Sequence, residues 1–486
     1  MTGNEIPRIL RARTSALSPS WYDTAQVVHT WLRHPRALPA SVAGPGLDRL
    51  LRAQHPDGSW GVPVAPPGYR VVPTLAAAAA LLAARTRSPR AAPAADAALG
   101  FLLHLPKTLA PETLPDTIAV ELIVPALLEN IAAQLRPTHF AHDFVRAAAR
   151  RHDPAALRRL RAAAAGATLP PRAYHSMEVL TGPPNGYRLV DGSVACSPAA
   201  TAAALSWRPS REAEEYLRSE GLRLAGAWPT VAPVRTFEVA WLVGAAARLG
   251  MTMPAAAADQ VGRWLAAQLG ADGCGAGPAL APDSDDTAIV LFALHALGHP
   301  WHPRHLWPYE EDTHFATFPG ERTVSSSTNA HVLEVLLAAH QDGRTLRGIT
   351  KVVTYLLDSQ HADGHWDDKW HASPCYATTS AALALRGVPL ANGAVERAVR
   401  WVLEHQRADG SWGCWIGTRE ETAHTLHLLL TTPGHDEATA SGIRYLRTAE
   451  PAPVPLWHGK ELYEPERIVE TLVRMTLEHA TTATRS

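Results

Sequence analysis

Residues 283–286 read Asp-Ser-Asp-Asp and run straight into the apolar stretch 288–297. Three carboxylates in four positions beside hydrocarbon cannot all ionise comfortably. At least one is expected to hold its proton above the free value of about 3.9. A protonated carboxylic acid facing an apolar pocket is the reagent needed to protonate an alkene and start a carbocation. The same residues also suit the first turn of a helix, where Asp caps free N–H groups and meets the positive end of the dipole.

The elements that would position this acid are helices. Ala, Leu and Arg dominate, and the stretches 237–249, 288–297, 330–340 and 379–385 repeat apolar residues at helical spacing. Alternating strand patterns are scarce, and Pro and Gly (40 and 33 residues) cluster between the helical stretches. A repeat shows through. Gln54-His55-Pro56-Asp57-Gly58-Ser59-Trp60 is echoed by Gln360-His361-Ala362-Asp363-Gly364-His365-Trp366 and by Gln406-Arg407-Ala408-Asp409-Gly410-Ser411-Trp412. Weaker copies sit at 191–193 and 268–275, and the glycines recur at near-multiples of about 45 residues, enough for a helical hairpin. Each copy predicts a helix stop: Gln in the last turn, a left-handed Gly, and a Trp packed back on the neighbouring helix.

Composition narrows the function classes. With 486 residues the chain exceeds one ordinary core, so two domains are expected. The 45 basic and 46 acidic residues form no basic run, which argues against a nucleic-acid partner. Cys196, Cys274, Cys375 and Cys414 lie far apart and make no CxxC pair, which fits a reducing cytoplasm better than disulfides or structural zinc. The polar start lacks an apolar core for secretion, and alanine-rich runs such as 75–84 are too short to span a bilayer, so no transmembrane segment is expected.

Taken together, the acid cluster and the repeats resemble the class II terpene cyclases. The closest likeness is to bacterial diterpene cyclases of the copalyl diphosphate synthase type, with squalene–hopene cyclases more distant. Asp283–Asp286 is similar to the DxDD motif and the Gln…Asp-Gly-x-Trp repeats to the QW motifs. Ser18-Pro19-Ser20-Trp21-Tyr22-Asp23-Thr24-Ala25 resembles an SxYDTAW signature, with Gln26 where Trp is usual. Ala119–Pro125 and Tyr174-His175-Ser176-Met177-Glu178 resemble two further segments of that family. The resemblance implies an all-α fold of two (α/α) barrels: a γ barrel over 45–235 inserted into a β barrel made of 1–44 and 236–486. It implies protonation-initiated cyclisation of a linear prenyl diphosphate, foremost geranylgeranyl diphosphate, to a bicyclic or rearranged diphosphate. No DDxxD motif is present, since Asp367-Asp368 is followed by Lys369-Trp370-His371, so the diphosphate should stay on the product.

By the same resemblance Asp285 is the general acid, and Asp283 and Asp286 set its proton affinity. Ser327 and His331 stand four apart on one helix face, and His331 is similar to the imidazole that squalene–hopene cyclases hydrogen-bond to their acid. Lys369, Arg322 and Lys460 become candidate diphosphate contacts, Glu112 a candidate Mg²⁺ ligand, and Trp366, Trp370, Tyr376, Trp412 and Trp415 candidate aromatic faces for the cation. His175 matches the histidine of a His–Asn pair that holds the terminal water in plant members. The Asn position falls on Thr230, so that pair is broken and the product skeleton is open. Drimenyl diphosphate formation from farnesyl diphosphate and a non-catalytic helical-barrel binding protein are the alternatives, and a homodimer is left open.

Overall fold

A computed structural model describes residues 15–105 and 110–483, together with Ile6 and Leu10. The first unit contains α1 (Trp21–Arg33), α2 (Ala40–Ala53), α3 (Val71–Ala84), α4 (Ala91–Leu103), α5 (Val120–Gln134), α6 (His142–Arg151), α7 (Ala155–Gly166), α8 (Pro198–Trp207) and α9 (Arg211–Arg223). The second contains α10 (Arg235–Arg248), α11 (Ala255–Ala266), α12 (Ser284–Ala296), α13 (Ser326–Ala338), α14 (Gly343–Ser359), α15 (Pro374–Leu385), α16 (Asn392–Glu404), α17 (Arg419–Leu430), α18 (Asp436–Thr448) and α19 (Glu466–Ala483). A short hairpin pairs Trp457 with Tyr463 and His458 with Leu462.

Both units close into rings. In the second, α10, α12, α13, α15, α17 and α19 pack in that order and α19 returns to α10, with α11, α14, α16 and α18 outside. In the first, α1, α3, α5, the 3₁₀ segment Pro171–Val179 and α8 form the inner ring. The inner helices are apolar on nearly every face, as elements buried inside a second layer must be. Segment 67–84 illustrates this: it is apolar enough to cross a membrane, yet 78% of it is buried as the core of the first ring.

The repeats are what fasten inner to outer helices. Gln54, Gln360 and Gln406 each donate Nε2 to two carbonyls, one at the following Gly and one on the next outer helix, over 2.8–3.0 Å. Trp60, Trp366 and Trp412 bury their rings and donate Nε1 to Leu50, Leu356 and Val402 carbonyls. Gly364 has φ +108° and Gly410 φ +88°, and a Cβ there would lie 2.5 Å from the Arg397 carbonyl and 2.6 Å from that of Ser441. Only glycine tolerates both demands. The weak copies use the same device: Val194 and Cys274 donate backbone N–H to Thr201 and Thr287 Oγ1, as Trp60, Trp366 and Trp412 do to Thr74, Thr378 and Thr422. A further copy is hidden in sequence at Gly226-Ala227-Trp228, where Trp228 N–H meets Thr24.

The expected boundary at 44/45 is corrected by packing. Helix α1 lies in the first core with α2, α3 and α8, whereas Ile6 and Leu17 belong to the second core. The chain crosses between barrels near Ser18–Ser20, where Ser18 pairs with Glu464 and Ser20 with Trp228, and returns between Trp228 and Val231. The apolar face of α1 needs the first ring to be covered, so the insertion begins about two dozen residues earlier than the sequence suggested.

Candidate active site

Helix α12 starts at the acid cluster because Asp283 caps it, accepting the Asp286 N–H at 2.7 Å. Capping and chemistry therefore coexist here. Asp283 and Asp286 are buried, while the Asp285 side chain is 18% exposed. Burial, then the neighbouring Asp286, pushes Asp283 well above the usual carboxylate range. Burial and the Asp285 charge push Asp286 up to about 7. Two flanking carboxyls that favour their neutral forms keep the negative charge beside Asp285 low.

His331, on α13, places Nδ1 2.8 Å from Asp285 Oδ1. Its side chain is 5% exposed, so the bond is shielded from water. Tyr376 on α15 is buried nearby, and burial together with the Asp285 charge raises its phenol well above the usual value. The acid thus stands at the wall of a ring lined by aromatic groups. Tyr376 contacts His371, His424 and Trp457 at ring-centroid distances of 4.7, 5.0 and 5.1 Å.

A second cluster forms where the barrels meet. Arg322 binds Asp116 of the first barrel and lies 3.9 Å from Glu121. Lys369 Nζ donates to Glu321 at 2.6 Å and sits 5.1 Å over the Trp370 ring. Arg172 donates to the Pro319 carbonyl, and Ile118 N–H to that of Gly459. Cations from both barrels therefore converge on the segment 319–323.

Comparison with known proteins decides the family. Residues 322–450 match the family described as Squalene-hopene cyclase C-terminal domain. An ent-copalyl diphosphate synthase of Streptomyces sp. (strain KO-3988) is 38% identical over 484 residues, covering 95% of this chain and 92% of the relative. A labda-7,13-dienyl diphosphate synthase of Streptomyces clavuligerus is 38% identical over 510 residues, covering 95% and 89%. The solved ent-copalyl diphosphate synthase from Streptomyces platensis matches with a TM-score of 0.87 at 37% identity, covering 98% of each chain. This chain belongs to the class II terpene cyclases. It is an enzyme of that class, built as a helical didomain.

Several expected site residues of the cyclase have other work. Ser327 does not reach Asp285. Its N–H and Oγ bond Asp368 at 3.0 and 2.9 Å, because Asp368 ties down the first turn of α13 together with Ser325 and Trp370 N–H. Sequence reasoning assigns Asp368 no role of its own, because its partners Ser325 and Ser327 lie 43 and 41 residues away in the chain. Lys460 is fully buried, bonded to Glu178 at 2.7 Å and Ser197 at 2.8 Å, with Asp23 at 3.7 Å, so it is not a diphosphate contact. Trp366 and Trp412 face the outer helices as repeat residues and present no ring to a substrate. Trp415 packs on Tyr69 in the small apolar cluster joining the barrels.

The terminal-base candidates lie at the seam. Thr230 Oγ1 accepts the Lys460 N–H at 3.4 Å. His175 donates Nδ1–H to the Ala195 carbonyl at 2.8 Å, which leaves Nε2 as its acceptor nitrogen. Burial, then the Lys460 charge, lowers His175 to about 3, so it is neutral and a weak base, one that only a strong acid such as a carbocation would protonate. For a metal, Glu112 is exposed on the short turn Pro111–Thr113. Among the described residues, groups with converging ligand atoms are His361/His365/Asp367 and His371/Glu420/His424, and neither includes Glu112. Mg²⁺ commonly takes one or two carboxylates and fills its shell with substrate phosphates and water. Glu121, 44% exposed, is a second carboxylate of the first barrel at the seam, beside Arg322.

Proposed function

We propose that the cyclase converts geranylgeranyl diphosphate to a bicyclic diphosphate, with Asp285 as the proton donor. The observation that carries this reading is the 2.8 Å bond between His331 Nδ1 and Asp285 Oδ1, beside two flanking carboxyls pushed towards neutrality. Asp285 breaks its O–H bond to the terminal alkene, leaving a tertiary cation. The carboxylate left behind is stabilised by the His331 N–H, a charge-assisted bond. Successive alkenes close the rings inside an aromatic wall that favours the passing cation without bonding to it. Loss of a C–H proton to His175 or a water beside it ends the cascade.

The diphosphate is read onto the seam, with Arg322, Lys369 and Arg172 as its cations. Mg²⁺ held with Glu121 would neutralise part of its charge when bound. The C20 substrate is supported by the copalyl and labdadienyl diphosphates that the relatives' names carry. Incubation with geranylgeranyl and farnesyl diphosphate, followed by dephosphorylation and mass spectrometry, tests the reading. A bicyclic C20 alcohol is expected. A product from farnesyl diphosphate alone would replace the substrate assignment, and no turnover of either would favour a binding protein.

A further inference from the structure

The barrel repeats the plan of its acid segment. Thr418-Arg419-Glu420-Glu421-Thr422-Ala423 parallels Asp283-Ser284-Asp285-Asp286-Thr287-Ala288. In each, the first residue caps its helix by accepting the N–H three residues on, from Asp286 at 2.7 Å and from Glu421 at 3.0 Å. In each, the threonine accepts a backbone N–H from the preceding repeat turn at 3.0 Å. Glu420 is thus the positional counterpart of Asp285. Within the six-membered inner ring, α17 stands three places from α12 in either direction, on the opposite wall.

The two carboxylates differ in their surroundings: Asp285 is 18% exposed with His331 as its partner, whereas Glu420 is 3% exposed and meets several groups. Glu420 Oε1 accepts from Trp457 Nε1 at 2.5 Å and from His371 Nε2 at 3.3 Å, with His424 Nε2 at 3.8 Å. The Ser373 N–H occupies His371 Nδ1 at 3.0 Å, which fixes the His371 proton on Nε2, facing Glu420. Oε1 thus gathers the Trp457 indole N–H and the His371 N–H, the surroundings of a carboxylate held as an anion. Glu420 Oε2 is buried with no hydrogen-bond partner. A buried anion with an idle oxygen is costly unless a positive charge arrives to meet it. Aromatic groups bridge the gap: Tyr376 touches His371, His424 and Trp457 and feels the Asp285 charge, and Tyr463 feels both Asp285 and Glu420.

We propose that Glu420 is the fixed counter-charge towards which the carbocation moves, a positioning residue acting across the Tyr376 and Trp457 rings. The inference rests on the cyclase reading above. Protonation moves one proton from Asp285 to carbon, leaving one negative charge on α12 and one positive charge on the substrate. Each ring closure carries that positive charge away from Asp285. Glu420 stabilises it on the far wall without taking a proton or forming a bond.

The test compares Glu420→Gln and Glu420→Asp in the full chain, measuring kcat, KM, product distribution and melting temperature with geranylgeranyl diphosphate. Glu420→Gln should lower kcat by about 10²-fold, the scale of one preorganised electrostatic group, with KM within about threefold. Its products should shift to monocyclic or water-quenched diphosphates. Glu420→Asp, which keeps the charge, should recover kcat to within about tenfold of wild type and restore the bicyclic pattern. Unchanged rate and products in Glu420→Gln overturn the proposal, as do equal losses in two folded variants, which would show that shape matters and charge does not. If Glu420→Gln does not fold, a folded Glu420→Asp as slow as about 10² below wild type overturns it, and one that recovers supports it. Stoichiometric metal in the purified wild type, lost in Glu420→Gln, also overturns it, since these side chains would then be ligands. Wild-type protein inert towards prenyl diphosphates would instead defeat the cyclase reading itself.

Discussion

Replacing His331 by Ala removes the side chain that, among the described residues, is bonded to the acid. The bond is 2.8 Å long and its imidazole is 5% exposed, so water cannot take its place at full strength. A hydrogen bond to a group that becomes charged is worth about 1.5–3 kcal/mol. At about 1.4 kcal/mol per factor of ten, the first protonation should slow by roughly ten- to a hundredfold. The loss falls on proton transfer, so the product pattern should be largely unchanged. Single-turnover measurements with excess enzyme isolate that step from product release. His331→Gln, whose amide offers an N–H, should recover part of the rate. A His331→Ala enzyme within about threefold of wild type in single turnover, while melting normally, would refute the assignment of this imidazole to the acid.

Three further outcomes follow from the same geometry. Asp286, raised to about 7, favours folding in its neutral form; that contribution is complete below about pH 4 and is lost as pH rises through 7. Its ionisation also puts a second negative charge beside the carboxylate that proton transfer leaves on Asp285, so kcat should fall above about pH 7 and Asp286→Asn should flatten that limb; a wild-type profile level to about pH 9 contradicts this. Lys460→Met strands Glu178 and Asp23 in the interior and should cost about 3–5 kcal/mol, read as a lower denaturation midpoint, which an unchanged midpoint would contradict. Chelating Mg²⁺ should raise KM for the prenyl diphosphate, while the product retains both phosphates; inorganic diphosphate released in step with turnover would show ionisation chemistry instead.

Much of this architecture was legible because it is made of repeats with a local mechanism. Gln…Asp-Gly-x-Trp encodes a helix stop and a side chain that must fasten onto the next helix, so both the period and the Trp roles can be read from the chain. Trp228 escaped notice because its turn, Ala225-Gly226-Ala227, lacks the Asp and the Gln. The acidic cluster and helical spacing mark 283–286 and the face shared by Ser327 and His331, but Asp285 as the acid and His331 as its partner are legible only through the family resemblance. Ser327 shares that spacing but sits in the first turn of α13, where free N–H groups demanded a cap and Asp368 supplied it. Lys460 looked like any cation near a seam, because its partners Glu178 and Asp23 lie 282 and 437 residues away in the chain. The barrel boundary was misplaced for a related reason: α1 is amphipathic in either barrel, and only tertiary packing chooses which ring it closes.

The central claim is that Asp285 delivers a solvent-exchangeable proton to carbon while the diphosphate stays in place. It is tested most directly by running the reaction in D₂O and analysing the dephosphorylated product by mass spectrometry. The account predicts one deuterium per product molecule, on the carbon that belonged to the terminal alkene, and no product from a folded Asp285→Asn variant. Unlabelled product, or turnover by Asp285→Asn near the wild-type rate, would contradict it.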